Sequence, residues 1–278
     1  MVRPRPQIDR RLFISAAALF GASTVLGTVP AWADDDEEDE SPDDGEEGSD
    51  EPDAEEKLAQ ADAVYQRVAS LQNELAERAG GTLTADDVAA LAPMSIPECG
   101  AFFHEKFGLG ESDREVVGMI DEYMLDVYRN RAEARPGALE FVQGLAQAGA
   151  HLTVASSSPK PYLLAGIERC GFAPYLERVL SVEDVHSTKR EPDVWDRARE
   201  IMGTSKQLTW GVEDSAYAIG TLSGAGYRTL GIYDSDDAGT WDALQASAEH
   251  AISSFEDLTV EEFLVWSEQP LFAGTATN

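Results

Sequence analysis

Two rhythms of apolar residues divide this 278-residue chain. From Leu58, the positions Ala61, Tyr65, Val68, Leu71, Leu75 and Ala76 recur at steps of three and four, the period of one helix face. Gly80-Gly81 ends that run. A coiled coil is a second reading of 58–79, though the stretch is shorter than four heptads. Thr84-Ala85-Asp86-Asp87 has the form of a helix N-terminal cap and predicts a short helix through Leu91. Pro93-Met94-Ser95-Ile96-Pro97 reads as a turn, and Phe102, Phe103, Phe107, Val117, Ile120, Met124, Val127 and Tyr128 mark two more helices. At Arg135-Pro136-Gly137 the rhythm changes. Helices are predicted over 138–149, 161–170, 192–202, 216–225 and 240–248, and strands over 151–155, 179–183, 208–212, 228–233 and near 251–253. Strands alternating with helices of this length imply βαβ units and a parallel sheet.

The first 56 residues follow neither rhythm. Arg10-Arg11-Leu12-Phe13-Ile14 resembles the twin-arginine export signal, and a mildly apolar run extends to Thr28. Ala31-Trp32-Ala33 then fits the small-x-small pattern cut by a signal peptidase. Residues 1–33 are therefore expected to be a targeting segment, with an uncleaved anchor or a non-targeting segment as the other readings. Between Asp34 and Glu56, 16 of 23 residues are acidic and none is basic. Such a run cannot bury enough apolar surface to offset its ordering entropy, so a solvated acidic tether is expected.

Charge narrows the partners. The formal net charge is −31, and without residues 1–56 it is still −18, from 17 basic and 35 acidic residues. A surface of that sign repels nucleic acid and anionic lipid, leaving membrane contact only for export and an exported location for the product. Cys99 and Cys170 fit no metal spacing and read as ordinary thiols, although export would permit a disulfide.

The candidate chemistry lies in the second half. Leu208 to Val212 ends in Glu213-Asp214-Ser215, two adjacent carboxylates at the end of an apolar strand. Hard oxygens at the carboxyl edge of a parallel sheet suit Mg²⁺; the plainer reading is a helix start enriched in acids. Strand 151–155 runs into Ser156-Ser157-Ser158, either an anion site at a helix N-terminus or a simple helix cap. Lys189 opens Lys189-Arg190-Glu191-Pro192-Asp193 and is one of only five lysines.

Taken together, Arg135-Pro-Gly-Ala-Leu-Glu-Phe141, Val154-Ala-Ser-Ser-Ser-Pro159, Lys189-Arg-Glu-Pro-Asp193 and Glu213-Asp-Ser215 with Ala225-Gly226 resemble the β-phosphoglucomutase-like branch of the haloacid dehalogenase-like (HAD) hydrolases. The resemblance covers about 85–278 and implies an α/β protein with a Rossmann-like core over 136–278 and a small helical cap over 57–135. It also implies a Mg²⁺-dependent phosphatase of a small phosphorylated substrate. Ser156 and the Ser157 amide would hold phosphoryl oxygens, Lys189 would neutralise the nucleophile and the phosphoryl group, and Glu213 and Asp214 would hold the metal. Arg190 and Glu191 depart from the Pro and small residue usual after that lysine.

The family's first motif, a central strand ending in an aspartate nucleophile with a second acid two residues on, has no plain counterpart. Counting back from the cap points to Asp53, but no apolar strand precedes it and Glu55 to Lys57 replace the usual residues. The first-motif strand is accordingly expected to be missing. Either another segment fills its slot, for which Leu12–Ile14 is the only spare strand-like run upstream, or the neighbouring strands close up. The expected function is an impaired phosphomonoester hydrolase; a non-catalytic relative binding phosphate ligands or a protein is the alternative.

Overall fold

The computed structural model describes residues 11–20, 71–91, 94, 96–234 and 240–269. These fall into two compact units, divided between Tyr123 and Met124. The first contains residues 11–20 and everything described from Met124 onward.

Its centre is a six-stranded, wholly parallel sheet. The strands are β1 (Arg11–Ile14), β2 (His151–Ser156), β3 (Arg178–Ser181), β4 (Thr209–Glu213), β5 (Arg228–Ile232) and β6 (His250–Ile252), in the order β3-β2-β1-β4-β5-β6. This is the doubly wound Rossmann order. The sheet is covered on both faces, and β2, β4 and β5 are accordingly buried along almost their whole length, Thr153, Arg228 and Thr229 included. The helices that cover them in this unit are α1 (Ala16–Phe20), α6 (Ala138–Gln147), α7 (Lys160–Arg169), α8 (Asp193–Met202), α9 (Ala216–Gly224), α10 (Trp241–Ser247) and α11 (Val260–Glu268). Each predicted strand and helix after residue 137 is present, with ends within a few residues of expectation.

The middle of the sheet corrects one expectation. The first-motif strand is not missing: β1 fills the slot, pairing Ile14 with Val154 of β2 on one side and with Val212 of β4 on the other. Its side chains alternate as a doubly covered strand requires. Leu12 and Ile14 join one core with Phe141, Leu145, Trp210 and Phe263. Phe13 enters the opposite core with Ala155, Trp195, Leu222 and Tyr227, meeting the Tyr227 ring edge-on at 5.5 Å. Leaving this slot empty would have stranded two rows of buried backbone donors and acceptors, at about 1–3 kcal/mol each. Three apolar residues with a serine behind them are enough to prevent that. Beside Phe13 in β4 stands Gly211, where an added Cβ would lie 2.4 Å from Leu222 Cδ1, so α9 packs flush on the strand.

The second unit is helical. Residues 71–78 form α2, followed by α3 (Ala85–Leu91), α4 (Ile96–Phe107) and the first part of α5 (Asp113–Asn130). The cap expected at Thr84 is formed: the Asp87 amide donates to the Thr84 hydroxyl, which donates to the Asp87 carboxylate at 2.8 Å. Lys106 pairs with the same carboxylate. The Cys99 thiol is buried and free, and burial pushes its pKa up to about 11. Cys170, in the first unit, is also free. No helix among the described residues is long and apolar enough to cross a membrane.

Candidate active site

In a parallel sheet every strand delivers its last residue to the same edge. Here that edge receives Ser15 from β1, Ser156 from β2, Ser181 from β3, Glu213 and Asp214 from β4, and Asp234 just beyond β5. Lys189 arrives from the loop that leads into α8.

Three of the expected residues meet at β4. Lys189 Nζ donates to both carboxylate oxygens of Glu213, at 2.7 and 2.9 Å, and both side chains are buried. Burial pushes the Glu213 carboxyl up to about 7, with the neighbouring Asp214 charge adding to it and Lys189 opposing. The Lys189 ammonium resists the same burial because Glu213 and Asp214 face it, so its pKa rises and it stays charged. Asp214 is raised by burial and by Asp234, against Lys189 and Arg135. Arg135 in turn pairs with Asp234 at 3.2 Å, and its backbone amide donates to the Leu19 carbonyl, tying α1 to the end of β5. Two fixed cations thus face three buried or half-buried carboxylates.

Ser156 ends β2, on the same edge. Its hydroxyl accepts from the Ser158 amide at 3.1 Å within the bend after the strand; it does not cap α7, whose N-cap is Pro159 with no side-chain cap bond. Ser158 is held from two sides: its carbonyl accepts from the Ser181 hydroxyl, and its own hydroxyl lies 3.5 Å from that of Tyr128. Ser157 is half-buried in the bend between strand and helix. Asp53, the expected nucleophile, lies outside the described residues.

At the centre stands Ser15. Its amide donates to the Val212 carbonyl, extending the ladder by one residue, and its hydroxyl accepts from the Ala18 amide at 2.8 Å. The hydroxyl also approaches Asp214 Oδ1 at 3.4 Å as donor. This is where a nucleophilic carboxylate would stand, and position 17, two residues on, is alanine. Sequence reading passed over Ser15 because the arginine pair in front of it matched an export signal. The signal that could have found it was there: three apolar residues followed by a serine and small residues.

Tyr217, in the first turn of α9, was also passed over. The residue is 41% exposed; partial desolvation of its hydroxyl raises the pKa, with Glu213 and Asp214 adding to the rise and Lys189 opposing it, while the Arg190 guanidinium sits 5.9 Å from the ring centre. Two of the four histidines take structural parts, and His186 is exposed. His104 Nδ1 meets the Leu109 carbonyl at 2.9 Å, and His250 stacks on Trp266 at 3.9 Å.

The sequence pattern of the family described as haloacid dehalogenase-like hydrolase matches residues 62–232, more than half of the chain. The chain belongs to that family. Its fold also resembles solved HAD structures. One is a HAD hydrolase, family IA, variant 3, from Entamoeba histolytica: TM-score 0.56, 19% identity, covering 72% of this chain and 92% of that one. A second is a HAD family hydrolase from Deinococcus radiodurans with bound phosphate and sodium, at TM-score 0.54 and 17% identity over 73% and 90%. A third is the β-phosphoglucomutase of Clostridium difficile, at TM-score 0.51 and 15% identity over 72% and 89%. At these identities the likeness speaks for the fold alone. The HAD family generally uses Mg²⁺. Among the described residues of this member, no three His, Cys, Asp or Glu side chains are grouped to hold a metal.

Proposed function

We propose that this HAD-family protein is a Mg²⁺-assisted phosphomonoester hydrolase of low turnover, acting on a small phosphorylated metabolite. One observation carries the reading: the flanks of the site are furnished with Lys189, Glu213 and Asp214, while the centre holds Ser15 where a carboxylate nucleophile would stand.

The donor set suits the metal. Mg²⁺ is usually bound by one or two carboxylates together with substrate phosphate oxygens rather than by a protein cage. Glu213 and Asp214 supply two carboxylates, and the cluster around them carries one more formal negative charge than positive, which a divalent cation relieves. When bound, the metal would offset the charge on the phosphoryl oxygens. The protein's own contribution is positional. Lys189 is held by two bonds to Glu213, so its charge is fixed at the site before substrate arrives. The Ser156 hydroxyl and the N-terminal end of the ten-residue α7 offer a phosphoryl group donors and a favourable dipole.

What is lacking is covalent chemistry. An aspartate nucleophile gives an acyl phosphate, a mixed anhydride that water opens readily. Ser15 would have to lose a proton first and would give an ordinary phosphate ester, with no acid at position 17 to protonate the leaving group. The test combines calorimetry with inorganic phosphate and turnover of p-nitrophenyl phosphate, each with and without Mg²⁺. The expected result is phosphate binding that needs Mg²⁺ and is lost in Asp214→Asn, with slow turnover that stands above the buffer blank only when Mg²⁺ is present. Rapid Mg²⁺-dependent hydrolysis would reveal a nucleophile elsewhere in the chain. No phosphate binding in the presence of Mg²⁺ would end the reading.

A further inference from the structure

The segment that reads as an export signal and the strand at the centre of the sheet are the same residues. Arg11 to Ile14 pair on both sides, register for register, with His151–Val154 and with Thr209–Val212. Beyond the strand, Ala16, Ala18, Leu19 and Phe20 are all buried, and Phe20 meets the Phe172 ring edge-on at 5.7 Å. Leu19 accepts from the Arg135 amide, and Ser15 supplies the central hydroxyl of the site. Ten consecutive residues therefore serve the sheet, the core and the site at once. An export receptor reading the arginine pair needs this stretch as free chain, and a cut after Ala33 would release it altogether.

We infer that residues 11–20 are a retained structural element, so that folding of the full chain and removal of residues 1–33 exclude one another. The physical reason is the position of β1. An edge strand can leave a sheet and expose one row of backbone groups. A central strand exposes two rows, on β2 and on β4, and opens both hydrophobic cores that Leu12, Ile14 and Phe13 fill. The arginine pair would then be legible only before the sheet closes.

Hydrogen exchange on the wild-type full chain, read by mass spectrometry of its peptides, tests this without reference to activity. Peptides covering 11–20 are expected to exchange more than about a thousandfold slower than unstructured chain, in step with those covering β2 and β4. Exchange of 11–20 at the free-chain rate while β2 and β4 stay protected would overturn the inference. So would a folded form beginning at Asp34 in which β2 and β4 are protected as well as in the full chain. Intact mass of the folded material should show residues 11–33 still attached.

Discussion

The centre and the flanks of the carboxyl edge differ in kind. On the flank at β4, charged groups are packed against each other: Lys189 grips Glu213, Asp214 lies beside them, and Arg135 holds Asp234. At the centre, β1 brings apolar packing as complete as any in the molecule and ends in one neutral hydroxyl. The centre thus carries the sheet and the flank carries the charge. In an active site of this chemistry one residue of the central strand would do both. On the proposed function, the two tasks are divided between Ser15 at the end of the central strand and the charged groups on its flank.

The largest expected effect strikes the centre. Leu12→Asp places a carboxylate inside the core that Leu12 shares with Ile14, Trp210 and Phe263 and should cost at least about 4 kcal/mol, enough to abolish cooperative unfolding in urea. A melt within 1 kcal/mol of the parent, roughly the error of such a comparison, would mean that another segment holds the slot.

On the flank, Lys189→Met removes the ion-pair partner of the buried Glu213 carboxylate and should cost about 3–5 kcal/mol at pH 8. The pH dependence has a definite sign. Glu213 has its folded pKa raised to about 7, so its protonated form stabilises the fold at low pH. That contribution is complete below the unfolded value, about 4.5, and is lost as pH rises through about 7. The gap between variant and parent should be narrow at pH 5 and widest at pH 8. A gap that does not change with pH would show that Glu213 is not the group responsible.

Joining the two tasks again sharpens the comparison. Ser15→Asp combined with Ala17→Asp should raise Mg²⁺-dependent turnover of p-nitrophenyl phosphate by at least about a hundredfold. Steady-state assays of folded protein decide this, and unchanged turnover would mean that the flanks are no longer arranged for catalysis. Ser15→Ala, by contrast, removes the hydroxyl's bond from the Ala18 amide and its longer one to Asp214, and should cost only about 1–2 kcal/mol in a thermal melt.

The smallest effect is expected far from the centre, at β6. Burial lowers the pKa of His250, which stacks on Trp266 near the guanidinium of Arg228. A histidine depressed in this way costs stability as pH falls below its unfolded value, about 6.5. His250→Gln should flatten the acid limb of the stability curve and leave it unchanged at pH 8.

Much of this could be read in advance, for reasons visible in particular residues. Strands such as His151–Ser156 and Thr209–Glu213 are covered on both faces and bounded by helical periodicity. That Lys189, Glu213 and Asp214 meet could be read because the strand ends of a parallel sheet share one edge. Helix α11 was not anticipated, although its capping box, Thr259 with Glu262, stands in the sequence as plainly as the one at Thr84. Strand β1 reads in the sequence only as a spare run that could fill the empty slot, and its residues are assigned there to the export signal. Four residues carry too little periodicity to outweigh an arginine pair before them and a cleavage-like Ala31-Trp32-Ala33 behind.

Local pattern alone settled the strands and helices between residues 138 and 253, and that their sheet is parallel, because the βαβ rhythm is written in neighbouring residues. Only the tertiary structure decided what stands between β2 and β4. Strand order is a long-range choice, made by pairing Ile14 with residues about 140 and 200 positions away, and no local periodicity encodes it. That choice put Ser15, not an aspartate, at the centre of the site.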